Sequence, residues 1–189
     1  IVLLSTMSVY GEIKSNFVTE NTKKKNLDKY GKSKLEMEKL LLKFCKKKKI
    51  DYVILRLPGV IGNFKSDNNF LNNLIKKISE NKEIVYTNPN SYFNNVIHTE
   101  TIAKISENLM LKRTNKFKNN IFNMCSTKPI KLTNIIKRIK TKFSSKSQLN
   151  VLPDTHAFQI SPDKCFKYDV KIISTAKSIN KSINFILKD

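Results

Sequence analysis

Glycine is nearly missing from this sequence: Gly11, Gly31, Gly59 and Gly62 are the only four in 189 residues. No spacing among them gives G-x-G-x-x-G or G-x-x-G-x-x-G, so the glycine-rich phosphate cradle of a dinucleotide fold is not in this stretch. Cysteine is also sparse. Cys45, Cys125 and Cys165 are odd in number and far apart, which excludes a disulfide framework or thiolate metal site and leaves reduced, structural thiols as the expectation. The two histidines, His98 and His156, have no partners at metal-ligand spacing, so no metal is expected. Long apolar runs are absent as well. No segment approaches the ~18 uninterrupted apolar residues that cross a bilayer, and no basic start with an apolar run and cleavage site opens the chain. A cytoplasmic protein without membrane contact is expected.

Acidic residues are few, 15 against 36 Lys and Arg, for a net charge of +21. Such an excess is the electrostatic footprint of a polyanion binder. Arginine, whose planar fork suits phosphate, nevertheless occurs only at Arg56, Arg113 and Arg138. Lysine (33), asparagine (22) and isoleucine (22) dominate the composition instead. These three share A/T-rich codons, so composition drift explains the charge better than a selected basic face. Nucleic acid is therefore not expected as the main partner, although a diffuse positive field still draws in phosphorylated ligands.

What is present is a strand–helix–strand unit. "IVLLSTMSVYG" opens with a continuous apolar run ending in Ser5 and Thr6, as a strand buried on both faces of a parallel sheet does. "LDKYGKSKLEMEKLLLKF" reads as a helix capped by Asn26 or Asp28, with an apolar stripe of Met37, Leu40, Leu41 and Phe44 and a basic end at Lys46–Lys49. "DYVILRLPGVIG" is the second strand, so the class is α/β. Further on, the pattern predicts helices near 68–80, 99–112, 131–143 and 174–187. It also predicts a strand–turn–strand over 84–98, turning at Asn88-Pro89-Asn90, and a strand at 120–125.

The first helix begins with Tyr30 and Lys34, four residues apart and hence on one face. An ordinary tyrosine, with a pKa of about 10, is a poor base at neutral pH. An ammonium at ~4 Å in an effective dielectric of ~20 favours the phenolate by about 4 kcal/mol before desolvation opposes it. A phenol so placed serves general acid–base chemistry. Standing alone, "YGKSK" also fits a packed tyrosine and a solvated lysine.

Together, "LLSTMSVYG", "YGKSK" 24 residues after Thr6, "LRLPGVIG" and "NNVIHTETIA" resemble the extended short-chain dehydrogenase/reductase family. The resemblance is to its NAD-dependent nucleotide-sugar epimerases and dehydratases, UDP-galactose 4-epimerase-like enzymes among them, and to their C-terminal half only. It implies an α/β fold: the C-terminal part of a Rossmann-type parallel sheet plus a small α+β substrate-binding domain. Residues 1–62 and 93–113 would belong to the first, residues 63–92 and 114–189 to the second. By this resemblance Tyr30 is the acid/base, Lys34 binds the nicotinamide ribose, and Thr6 hydrogen-bonds the reacting oxygen. Ser5 is its neighbour at the cofactor, and Pro58, Gly59 and Val60 line the nicotinamide pocket. Asn69 either contacts the nucleotide diphosphate or caps a helix; Asn94 lies at a substrate-contacting position; His98 is structural. The resemblance further implies NAD or NADP as cofactor, a nucleotide-sugar substrate and a homodimer. It places about a hundred residues, with the glycine-rich turn, ahead of Ile1, so that this stretch alone is expected to turn nothing over.

Two departures bear on the reaction. Family dehydratases carry Asp-Glu after the threonine, where Met7 and Ser8 stand here; methionine moves no proton, which argues against dehydration. Many epimerases carry Arg-Asp, the arginine on a substrate phosphate, where Asn94-Asn95 stand here. An epimerase is the first expectation, a reductase of the same family the next. A non-catalytic basic protein binding RNA or another polyanion is the alternative of a different class.

Overall fold

The computed structural model describes residues 1–62, 70–111 and 117–187. Strand β1 (Val2–Thr6) runs into a 3-10 turn (Met7–Tyr10), followed by the short β2 (Phe17–Val18) and the long helix α1 (Lys29–Lys48). Strand β3 (Val53–Leu57) lies parallel to β1 in the register Val2↔Val53 to Thr6↔Leu57. This is the predicted βαβ unit, with β1 extended to include Ser5 and Thr6 at its carboxyl end. Next come β4 (Gly59–Ile61), α2 (Phe70–Ser79), β5 (Ile84–Tyr86), β6 (Tyr92–Phe93), β7 (Val96–His98) and α3 (Thr99–Leu111). The chain closes with β8 (Asn120–Asn123), β9 (Ile130–Lys131), α4 (Leu132–Phe143), β10 (Leu149–Val151), β11 (Gln159–Ile160), α5 (Asp163–Lys167) and α6 (Thr175–Ile186). The main sheet has the order β1-β3-β8, all parallel; β4 pairs with β7, β5 with β10 and β2 with β11 in parallel, while β6 and β9 are antiparallel.

Central strand β3 is buried on both faces, which its near-continuous apolar run requires. Val53, Leu55 and Leu57 point into a core shared with Ile105 of α3, Phe122 of β8, Met124 and Cys165. The alternate residue Arg56 points the other way, to Glu38 of α1. A second core joins α2, α4 and α6 through Leu71, Leu74, Ile75, Ile78, Ile135, Ile136, Ile139, Ile179 and Ile183, beneath Ile61 and Tyr86. A third, small one packs Met7, Val9 and Tyr10 of the turn on Val18, Cys125 and Ile160. Among the described residues no helix is long and apolar enough to cross a membrane.

Helix α1 departs from its sequence pattern. Met37, Leu40 and Phe44, expected to face the core, are exposed, while the buried residues are Gly31, Glu38 and Cys45. The rotation follows from charge: a carboxylate can sit against the sheet only where donors meet it, and Arg56 and Ser5 do so for Glu38.

Candidate active site

The site is built where β1 ends. Thr6 caps the 3-10 turn, its Oγ1 accepting from the Ser8 amide at 3.2 Å and donating to Ser8 Oγ at 3.3 Å. Gly11 ends that turn at φ +65°, a conformation that disfavours a side chain, and a Cβ there would run into the Lys25 carbonyl oxygen. The chain then passes through the loop to Asp28, whose Oδ1 accepts from the Gly31 amide at 2.6 Å and starts α1. Of the two sequence candidates for the cap, Asp28 is the one used; Asn26 sits at φ +48° and donates to Glu12 instead.

Gly31 decides how closely α1 approaches. A Cβ there would overlap the Ser8 carbonyl oxygen, so the first turn of the helix rests directly on the turn after Thr6. The preceding residue, Tyr30, is thereby held at the rim and is 53 % exposed. Lys34 lies one helical turn on, its Nζ 5.8 Å from the centre of the Tyr30 ring, within cation–π range. The phenol has no hydrogen-bond partner among the described residues. The half-exposed Pro58, Gly59 and Val60 follow the carboxyl end of β3.

Two expected contacts are engaged elsewhere. Ser5 is 5 % exposed and turned inward, its hydroxyl donating to Glu38 Oε1 at 2.6 Å because the buried carboxylate needs donors. Asn94 is equally enclosed. Its Nδ2 donates to the Ile160 carbonyl at 2.7 Å and its Oδ1 accepts from the Ile160 amide at 3.0 Å, so the amide pins β11. Its neighbour Asn95, the second residue of the Asn94-Asn95 pair, borders a cavity of about 210 Å³ with Phe93, His156 and Phe158, and its Oδ1 is buried without a partner among the described residues. Asn69 lies outside the described residues. Sequence spacing held one unused signal for Glu38, which continues the four-residue step Tyr30–Lys34–Glu38.

His98 is buried, as a structural role requires. Its Nδ1 accepts from the Glu100 amide at 3.2 Å, capping α3, and burial with the nearby Lys181 charge pushes its pKa below the ordinary histidine value. Cys45, Cys125 and Cys165 are free and buried; burial raises the Cys165 thiol to about 12 and pushes Cys125 upward as well. Met7 is buried in the small core and does not face the crevice.

Residues 1–125 match the family model described as the NAD dependent epimerase/dehydratase family. The chain belongs to that family. A comparison with curated protein sequences finds no match. Among solved structures, the fold is similar to UDP-glucuronic acid 4-epimerase from Bacillus cereus in complex with NAD (21% identity, 99% of this chain and 61% of that one, TM-score 0.81). It is also similar to UDP-glucose 4-epimerase from Thermotoga maritima with UDP-glucose (16%, 99% and 63%, TM-score 0.79). A third is dTDP-glucose 4,6-dehydratase from Bacillus anthracis in complex with NAD (16%, 100% and 61%, TM-score 0.77). The chain thus spans about three-fifths of the length of these epimerase/dehydratase structures. At these identities the likeness is one of fold, and it agrees with the Rossmann-type parallel sheet expected from the sequence.

Proposed function

We propose that this chain carries the proton-transfer half of an NAD-dependent nucleotide-sugar epimerase, with Tyr30 as acid/base, Lys34 beside it and Thr6 holding the reacting oxygen. The observation that supports this most is the seating of Gly31 on Ser8, which brings the helix of Tyr30 and Lys34 against the turn that Thr6 caps. The three side chains come from one strand end and one helix start, the crevice in which open α/β sheets bind ligands.

NAD fits one end of this site. The open Tyr30 phenol, the Lys34 ammonium and the half-exposed Pro58–Val60 segment are groups of the kind that receive a nicotinamide riboside, whereas none of the four glycines supplies a diphosphate cradle. When bound, NAD supplies a reversible hydride acceptor at the sugar carbon. The protein's own part is the proton. Tyr30 takes it from the sugar hydroxyl, Lys34 stabilises the phenolate charge this requires, and the Thr6 hydroxyl, turned from Ser8 Oγ, donates a hydrogen bond to the oxygen that becomes a carbonyl. On return the phenol reprotonates the alkoxide. The cavity bordered by Asn95, Phe93 and Phe158 offers aromatic walls to the nucleotide part of the substrate.

Met7 favours epimerisation over dehydration. Buried behind the turn, it leaves no acid at that position to expel the sugar hydroxyl. The test is to assay the full-length protein with NAD and a panel of nucleotide sugars, wild type against Tyr30→Phe. Loss of about 10²–10⁴-fold in turnover by the variant is the expected result. Equal turnover in the two would remove Tyr30 from the mechanism, and a product lacking water relative to substrate would replace epimerase by dehydratase.

A further inference from the structure

Behind the candidate site lies a buried polar network that the proposed reaction does not use. Glu38 of α1 and Arg56 of β3 are 2 % and 3 % exposed and pair through two bonds, Nε to Oε1 at 3.0 Å and NH2 to Oε2 at 2.7 Å. Ser5 of β1 donates to the same Oε1 at 2.6 Å. The third arm of the guanidinium, NH1, donates to the Tyr10 hydroxyl at 2.7 Å, which donates onward to Asn123 Oδ1 at 2.7 Å. Burial raises the Tyr10 phenol despite the adjacent Arg56. Burial works against the Arg56 charge too, but Glu38 and Tyr10 outweigh it and hold Arg56 above its ordinary value. The network therefore keeps one ion pair and one protonated phenol.

We propose that Glu38, through Arg56 and Ser5, is a positioning residue that fixes where Tyr30 and Lys34 stand relative to Thr6; this rests on the reading that those three form the reacting set. Each member of the set is one step from the network. Thr6 follows Ser5 in the chain, Lys34 precedes Glu38 by one helical turn, and Tyr10 closes the turn on which Gly31 and thus Tyr30 rest. Stability does not account for the arrangement. An ion pair taken out of water pays heavily for desolvation, and apolar residues of similar size often do as well or better. α1 even leaves Met37, Leu40 and Phe44 exposed while Glu38 is buried. What an ion pair adds over apolar contact is direction: a two-bond fork fixes rotation and sliding of α1 on β3, whereas hydrophobic contact is non-directional. The device trades burial of an available apolar stripe for a defined register.

The experiment is an apolar replacement, Ser5→Ala with Glu38→Met and Arg56→Met, which removes the charges without leaving one orphaned. In the chain as it stands, melting temperature and hydrogen exchange are measured on parent and variant. Expected are a melting temperature near that of the parent and faster exchange confined to Thr6–Tyr10 and the first two turns of α1. Unchanged exchange there overturns the proposal. In the full-length protein the variant is expected to lose about 10–100-fold in kcat at unchanged KM; full kcat at restored stability would make the network merely structural. Should the triple variant not fold, Ser5→Ala alone, which keeps the ion pair, is read by the same exchange and kinetic criteria. A parent without turnover would overturn the reaction assigned to the site, while the exchange comparison would still decide the positioning role.

Discussion

Gly31 shows how much one missing side chain can set. Between Tyr30 and Lys34, a helix former such as alanine would gain about 1 kcal/mol of helix propensity. Here it would drive a methyl into the Ser8 carbonyl oxygen, which belongs to backbone and cannot swing aside. Overpacking of this kind costs about 1–3 kcal/mol, so the local clash should win. Gly31→Ala is expected to lower the melting temperature modestly and, on the proposed mechanism, to cost turnover far more than stability, by lifting Tyr30 away from Thr6; calorimetry and the nucleotide-sugar turnover assay check the pair of effects. A variant that melts higher and works normally would show that α1 does not need this contact.

The elements were largely legible, and for stated reasons. Strands β1 and β3 and helices α2, α3, α4 and α6 follow hydrophobic patterns that the cores then use, most plainly Ile135, Ile136 and Ile139 of α4. Short β2, β6, β9, β10 and β11 were not legible individually: strands of two or three residues carry too little pattern, and they exist because a neighbouring segment offers pairing. The facing of α1 was misjudged for a different reason. Its apolar stripe is real, but Arg56 is 18 residues away in sequence, and no periodicity within the helix reveals a partner on the next strand. Of the candidate site, the Tyr30–Lys34 pairing is a four-residue step within one helix and Thr6 comes from the motif resemblance, whereas the engagement of Asn94 by Ile160 depends on a segment 66 residues later.

Helix α3 carries a pH dependence of its own. His98 caps it through an unprotonated Nδ1 and lies near Lys181, while Glu100 faces it from the first turn, held by Lys104 at 2.6 Å and by Lys181. Because its folded pKa is depressed below the unfolded value of about 6.5, the unfolded chain binds the proton more readily. Stability is then full above pH ~6.5 and falls as the pH drops below it. Glu100, held at about 2 by hydrogen bonds from Lys104 and Lys181, contributes in a separate window, lost only below the ordinary carboxylate range. Urea midpoints measured from pH 7.5 to 5.5 should decline, and His98→Asn, which can still cap, should flatten that slope. An unchanged slope in the variant would assign the decline to another group.

At the scale of the whole molecule, the main sheet has two edge strands among the described residues, β1 and β8, each paired only with β3. The run Val2-Leu3-Leu4 along the β1 edge has no charge, no proline and no bulge, and Leu4 is 45 % exposed. Proteins ordinarily blunt such an edge, because its open amides and carbonyls template the addition of any extended chain. Handled as this stretch of 189 residues, the molecule should therefore self-associate by strand addition despite a net charge of +21 that opposes it. Light scattering should show particle growth accelerating as salt screens the lysines, and Leu4→Lys should suppress it. The edge of β1 thus makes colloidal behaviour, more than unfolding temperature, the property that governs how this chain can be stored and concentrated.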